Sequence, residues 1–230
     1  MNKTTKSKVS LINHIGKIAA KYILTPNFSD MKNLTNEGLQ DRSRLVGDIM
    51  VDSLNFVQKS LQSSPINIEK LCKTSEDFVL ATIHRAENTG DRSRLNSLIE
   101  TLSNFDIPVV LPAHPRLVDH CDTFDIKLSK GSLIIVPPLS HRELIAAAIA
   151  SKSVVTDSGG LQKECFLLKV PCSTIRTETE WKETLVNEWN IIVDDLSDLQ
   201  ELSKRPAPES EQPTPFGNGK TAEKIIDCLF

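Results

Sequence analysis

The chain of 230 residues carries 27 Lys and Arg against 30 Asp and Glu, a formal net charge of −3, and is 39% hydrophobic and 25% charged. That size and apolar content can enclose one full α/β domain and part of another, while the slight acidity without a dense Lys/Arg cluster excludes a general nucleic-acid or anionic-membrane surface. No apolar run reaches the roughly 18 residues a membrane helix needs, and the basic start MNKTTKSKVSLINHIGK lacks the apolar core of a signal peptide, so a cytoplasmic protein is expected. Five scattered cysteines (Cys72, Cys121, Cys165, Cys172, Cys228), with no CxxC and no His cluster at metal spacing, fit reduced thiols; neither a metal nor a cofactor is expected.

The first elements form an incomplete set. An apolar 3.6-residue stripe (Leu11, Ile12, Ile15, Ile18, Ala19, Tyr22) leads into the strand-like YILTP at 22–26, a helix near 28–37 and RLVG at 44–47. Two or so helices and two short strands cannot enclose a core, so residues 1–50 are expected to be the tail of a domain with its beginning missing. From residue 77 β-rich and helical runs alternate: FVLATI, SRLNSLIETLSNF, IPVVLP, a segment near 116–128, SLIIVP, RELIAAAIA, SVVTD, LQKECFLL, VPCSTI, a helix near 179–187, NIIV and DLSDLQELSK. Short apolar strands without polar alternation, separated by helices, predict a doubly wound parallel sheet covered on both faces. RPAPESEQPTPFGNG at 205–219 reads as a loop, and TAEKIIDCLF as a closing helix.

In such sheets ligands sit beyond the carboxyl ends of the strands. The polar motifs fall there: His84-Arg85 after the first strand, His114 after the second, Asp157-Ser158-Gly159-Gly160 after the fourth and Arg176 after the fifth. Gly159 and Gly160 carry no Cβ, so their backbone N–H groups can approach a ligand, and the N-terminus of the following helix adds partial positive charge; that geometry holds phosphate. Ser158 adds a hydroxyl, and Glu164, one turn on, can accept from a pair of sugar hydroxyls. Taken singly, the motifs also fit plainer roles: a glycine-softened turn for 157–160, a solvated charged loop for HRAEN at 84–88, a structural histidine for His114. Asp157 is expected to cap the turn that follows it, Glu178 and Glu183 to complement a helix dipole, and His14 and His120 to lie at the surface.

As a set, HRAEN (84–88), AHPR (113–116), DSGGLQKE (157–164) and R-x-x-TEW-x-E from Arg176 to Glu183, closing with WN at 189–190, resembles the non-hydrolysing UDP-N-acetylglucosamine 2-epimerases. The match runs from about residue 11 onward and includes TPNFSDMKNLTNEG, VGDIMVDSL (46–54) and PFGNGKTAEKI (215–225). The resemblance implies a glycosyltransferase-B-like architecture of two Rossmann-type domains. Residues 1–50 would be the truncated N-terminal domain and hinge, and 51–230 the complete UDP-binding domain with a C-terminal crossover helix. It implies inversion of carbon 2 of UDP-N-acetylglucosamine, or of a related 2-acetamido sugar nucleotide, by elimination and re-addition of UDP, serving surface polysaccharide. It places His84 at the diphosphate as the catalytic candidate, Ser158, Gly159 and Gly160 on the diphosphate oxygens, Glu164 on the ribose diol, Arg176 as added charge, and Arg85 and His114 beside the nucleotide sugar.

The family's acid–base carboxylates lie mainly in the N-terminal domain, and one matched stretch here reads KVSLINHI, with Val9 and Ser10 where glutamates would stand. His141 replaces a frequent Tyr, and Glu188 a frequent Gly. Expected partners are a UDP-sugar and either a second copy in a homodimer or a separately encoded N-terminal half. A UDP-sugar-binding remnant without turnover and a glycosyltransferase of the same architecture are the alternatives.

Overall fold

A computed structural model describes residue 16 and residues 19–230; Val9, Ser10, Leu11, Ile12, His14, Ile15 and Ile18 lie outside them. The chain divides into two compact units, one of residues up to Phe56 together with Pro213–Phe230, the other Val57–Gln212.

In the first unit the strands β1 (Ile23–Thr25) and β2 (Ser43–Leu45) pair in parallel on either side of helix α1 (Phe28–Asn36). Asn27 starts that helix by accepting the Asp30 N–H at 2.8 Å, the expected use of a short polar side chain before an amphipathic run. Helix α2 (Ile49–Ser63) begins after Gly47, whose φ of +94° only glycine adopts without strain. A Cβ there would lie 2.9 Å from Thr221 Oγ1 and 3.0 Å from the Phe216 carbonyl. The VGD and PFGNG segments therefore meet backbone to backbone, and the Asp48 N–H donates to the Phe216 carbonyl at 2.8 Å.

The closing helix, Thr221–Leu229, has no side-chain cap of its own at Lys220. Asp52 supplies one from α2, accepting the N–H groups of Thr221 and Ala222 at 3.1 Å each. Residues 213–230, read from sequence as the end of the 51–230 domain with its C-terminal crossover helix, pack with the first unit. A remote carboxylate and a glycine crossing decide this, and neither shows in local periodicity.

The second unit runs α3 (Ile68–Cys72), β3 (Val79–Thr82), α4 (Ala86–Thr89), α5 (Arg92–Ser103), β4 (Val109–Pro112), α6 (Pro115–Phe124), β5 (Leu133–Val136), α7 (His141–Ala150), β6 (Ser153–Thr156), α8 (Gly159–Leu168), β7 (Cys172–Thr174), β8 (Asn190–Ile192) and α9 (Leu199–Lys204). Its six strands lie in the order β5-β4-β3-β6-β7-β8, all parallel. The doubly wound sheet read from the sequence is present. Its order reverses between β3 and β6, the switch point where such sheets open a crevice for ligands. Side chains alternate along each strand: Val79 and Ala81 join one buried cluster with Leu95, Leu98, Ile99 and Leu102 of α5, while Leu80 joins the other with Ala147 of α7 and Leu161 and Cys165 of α8. Burying both faces explains why the strands read as unbroken apolar runs.

The helix expected near 179–187 is instead 3-10 in geometry, Lys182–Glu188, broken at Val186 (ψ 133°) and Asn187 (φ 54°). Gln162 of α8 holds the segment in that path, donating to Thr184 Oγ1 at 2.7 Å and accepting from Thr179 Oγ1 at 2.9 Å. Glu178 and Glu183 therefore begin no α-helix. Cys72, Cys121, Cys165 and Cys172 are buried free thiols, and burial, with the Asp122 charge, pushes Cys121 up to about 11, which leaves it unreactive at neutral pH.

Candidate functional site

The strands β3, β4, β6 and β7 deliver their polar motifs to one edge of the sheet. At the centre is the start of α8, where Ser158 is the N-cap and its Oγ accepts the Leu161 N–H at 3.3 Å. The N–H groups of Gly159 and Gly160 precede any carbonyl their helix could offer. Neither glycine has a positive φ, so glycine is used here for access and not for a special backbone shape. A Cβ on Gly160 would meet nothing nearer than Ser158 Oγ at 3.7 Å; one on Gly159 would meet Glu180 Oε1 at 2.8 Å and Trp181 Nε1 at 3.2 Å. Gly160 faces open space, while Gly159 lies beneath the TEW segment.

Contrary to expectation, Asp157 does not cap the turn after it; Ser158 does. The Asp157 carboxylate is fully buried and reaches back to the segment after β3. It accepts the backbone N–H of His84 at 3.0 Å, that of Arg85 at 2.9 Å and Asn88 Nδ2–H at 3.2 Å, with His84 Nδ1 at 3.1 Å. Burial opposes its ionisation, yet these donors hold the carboxyl below the usual range. Asn88 also donates to the Ile175 carbonyl at 3.2 Å and accepts from Arg94 Nε at 3.3 Å. HRAEN is thus no solvated loop: it enters α4 and is tied to the ends of β6 and β7.

That tie orients His84. A carboxylate accepts only, so Nδ1–H points to Asp157 and Nε2 is left for a ligand. His114 is fixed differently: its Nδ1 accepts the Arg116 N–H at 3.2 Å, capping α6, which leaves Nε2 as the ring's donor. The two rings lie 5.9 Å apart. With Ser158 they line a cavity of about 170 Å³ whose remaining wall includes Pro138, Leu139, Leu144 and Leu161. His120, expected at the surface, is half-buried, and its Nδ1 bonds to the Thr89 carbonyl, fastening α6 to α4.

Arg85 and Arg176 line a second cavity, of about 320 Å³, together with Asn88, Arg94 and Glu178. Arg176 does not stand as isolated charge, since its guanidinium donates to Glu180 Oε2 at 2.8 Å. Burial works against the Glu180 charge, but its own backbone N–H and the Arg176 and Arg85 guanidinium groups hold its carboxyl below the usual range. Lys163, buried in α8, places Nζ 3.6 Å from the centroid of the Trp181 ring, a cation–π contact supporting the TEW segment. Glu164 also has a partner: its Oε1 is 2.7 Å from His141 Nε2. Local sequence signalled His141 only as a departure from Tyr, and gave no signal that it meets Glu164.

Among the described residues no group of three His, Cys, Asp or Glu could hold a metal ion, and no helix is long and apolar enough to cross a membrane. The sequence model of the UDP-N-acetylglucosamine 2-epimerase family matches residues 11–230. Over 226 residues the chain is 34% identical to a UDP-N-acetylglucosamine 2-epimerase homolog of Methanococcus maripaludis, covering 95% of this chain and 62% of that protein. It is 35% identical over 226 residues to a UDP-2,3-diacetamido-2,3-dideoxy-D-glucuronate 2-epimerase of Pseudomonas aeruginosa, covering 90% of this chain and 61% of that one. In structure it is similar to the Methanocaldococcus jannaschii UDP-GlcNAc 2-epimerase solved in complex with UDP-GlcNAc and UDP, with a TM-score of 0.78 and 29% identity over 91% of this chain and 61% of that chain. The glycosyltransferase-B-like architecture follows, and the chain spans about three fifths of the length of these relatives. A family match over nearly the whole sequence, joined to a parallel sheet that gathers the family's motifs on one edge, places this chain in the UDP-N-acetylglucosamine 2-epimerase family.

Proposed function

We propose that this chain is the nucleotide-binding part of a cytoplasmic 2-epimerase acting on a UDP-linked 2-acetamido sugar, and that it grips the UDP group. The observation that carries this reading is the N-terminus of α8 at Ser158–Gly160, exposed at Gly160, with His84, His114 and Arg176 gathered about it. Elimination of UDP from carbon 1 and loss of the proton at carbon 2 leave a diphosphate that needs positive charge and preorganised donors. The N–H groups of Gly159 and Gly160, Ser158 Oγ–H and the Arg176 guanidinium supply them, and His84, when its ring carries both protons, donates Nε2–H as well. Arg85 and His114 stand beside the nucleotide sugar, the apolar cavity wall at Leu139 and Leu144 takes the base, and Glu164 takes the ribose diol. Residues 1–50 form the tail of a sugar-side domain, and the chain works with a second copy or with a separately encoded N-terminal half.

The second reading, UDP-sugar binding without turnover, is favoured by one specific feature. The positions matched to acid–base glutamates are Val9 and Ser10, and neither can move a proton. General acid–base groups contribute about 10²–10⁴-fold. Calorimetric titration with UDP tests the shared part of both readings. Glu164→Ala and Arg176→Ala should each weaken UDP by roughly ten- to a hundred-fold, the worth of a charge-assisted contact; unchanged affinity in both would remove these residues from the site. Following UDP-N-acetylglucosamine for epimer formation and for solvent deuterium at carbon 2 separates the two. Little or no exchange is expected from this chain alone, and brisk exchange would move the acid–base role to His84 or His114.

A further inference from the structure

His141 and Glu164 form a pair that the phosphate-facing groups do not use. His141 opens α7, whose first turn is closed by a capping box between Ser140 and Glu143, and its Nε2 lies 2.7 Å from Glu164 Oε1. An ionised carboxylate only accepts, so Nε2–H donates, and Oε2 keeps both its lone pairs. Leu144 lies three residues after His141 and Leu161 three before Glu164, and both leucines line the 170 Å³ cavity. By that spacing each member of the pair shares a helix face with a cavity-lining residue. Neither member lines the cavity itself: Glu164 is buried in α8, and His141 stands half-exposed beside it.

We infer that His141 is a positioning residue that makes the site select ribose over 2′-deoxyribose, an inference resting on the reading of Glu164 as acceptor for the ribose diol. A glutamate side chain has three rotatable bonds and two equivalent oxygens, and ordering it on binding costs affinity. An N–H fixed on Oε1 orders it beforehand and leaves Oε2 and one lone pair of Oε1 for two neighbouring hydroxyls. A 2′-deoxynucleotide offers one hydroxyl, so the ordered carboxylate loses a partner it has already been oriented to meet. Removing His141 should therefore harm the ribonucleotide and spare the deoxynucleotide. The side chain is 48% exposed, so its replacement should not disturb folding.

The test is titration of the full chain with UDP and with 2′-deoxy-UDP, at one pH and salt concentration, for wild type, His141→Ala, His141→Gln, Glu164→Gln and the His141→Ala/Glu164→Gln double variant. Wild type should prefer UDP by about ten-fold or more, and His141→Ala should cut that preference to about two-fold, almost wholly through weaker UDP binding. His141→Gln, whose amide N–H can reach the same carboxylate, should restore most of it. The double variant should lose no more than Glu164→Gln alone, because the two residues act as one unit. Equal weakening of both nucleotides in His141→Ala, an unchanged preference, or tighter UDP binding would each overturn the inference. A wild type that binds both nucleotides equally would defeat the Glu164 reading and the inference with it. A preference abolished by Glu164→Gln but untouched by His141→Ala sinks the inference alone.

Discussion

Two residues carry more than their sequence neighbourhood announces. Asp157 holds the segment after β3 by donors from His84, Arg85 and Asn88, and its carboxyl titrates below its ordinary range despite burial. A depressed carboxyl binds its proton less readily folded than unfolded, so its contribution is complete above the ordinary value and is lost as pH falls through the lower one. Asp157→Asn should cost about 1.5–3 kcal/mol at neutral pH, the range for a hydrogen-bonded charge. Melting curves should show the gap between wild type and variant closing below about pH 4; a gap independent of pH would mean the charge is not what matters. Glu188 stands in the left-handed region at φ 59°, where glycine is at ease. Relief of roughly 1–2 kcal/mol of backbone strain in Glu188→Gly is offset by the greater freedom of the unfolded chain and by lost attraction for the partly buried Arg205. A net gain of about 0.5 kcal/mol is expected, larger at high salt where the charge is screened. Urea midpoints at two ionic strengths check this, and a loss at both would place the charge above the strain.

At the scale of elements, α8 and the TEW segment form one device. Gln162 bonds both Thr179 and Thr184, the Trp181 N–H donates to Thr179 Oγ1 at 3.1 Å, and Thr184 Oγ1 donates to the Trp181 carbonyl at 2.7 Å. This replaces the expected α-helix and sets Glu180 and Arg176 beside Gly159. Gln162→Ala leaves buried hydroxyl groups short of partners and should destabilise by about 1–3 kcal/mol. Because the segment places Arg176, UDP affinity should fall as well, though Gln162 touches no ligand in the proposed site. Urea unfolding and UDP titration on the same variant check the two effects; lost stability with full affinity would show that Arg176 finds its place unaided.

For the whole molecule, the proposed site lies within the second unit, so UDP should stabilise that unit against heat. At a ligand concentration about a hundred times Kd the gain is about 2.7 kcal/mol. A scan with and without UDP should show the raised transition, and the shift should survive EDTA, because the proposed diphosphate donors are helix N–H groups, His84 and Arg176. A shift that vanished on chelation and returned with magnesium would favour a glycosyltransferase-like use of the same architecture.

The sequence alone determined the parallel α/β order, the strand-end placement of His84, Arg85, His114, Ser158, Gly159, Gly160 and Arg176, and the family, because apolar runs and short motifs are local properties of the chain. Periodicity states which face of an element is buried but not which distant group a side chain meets there. Only the tertiary structure decided that Asp157 serves a segment more than 70 residues earlier, that Glu164 meets His141 across two helices, and that the closing helix takes its cap from Asp52, 169 residues before it. Those partners follow from strand order and helix packing, in which position along the chain no longer decides proximity.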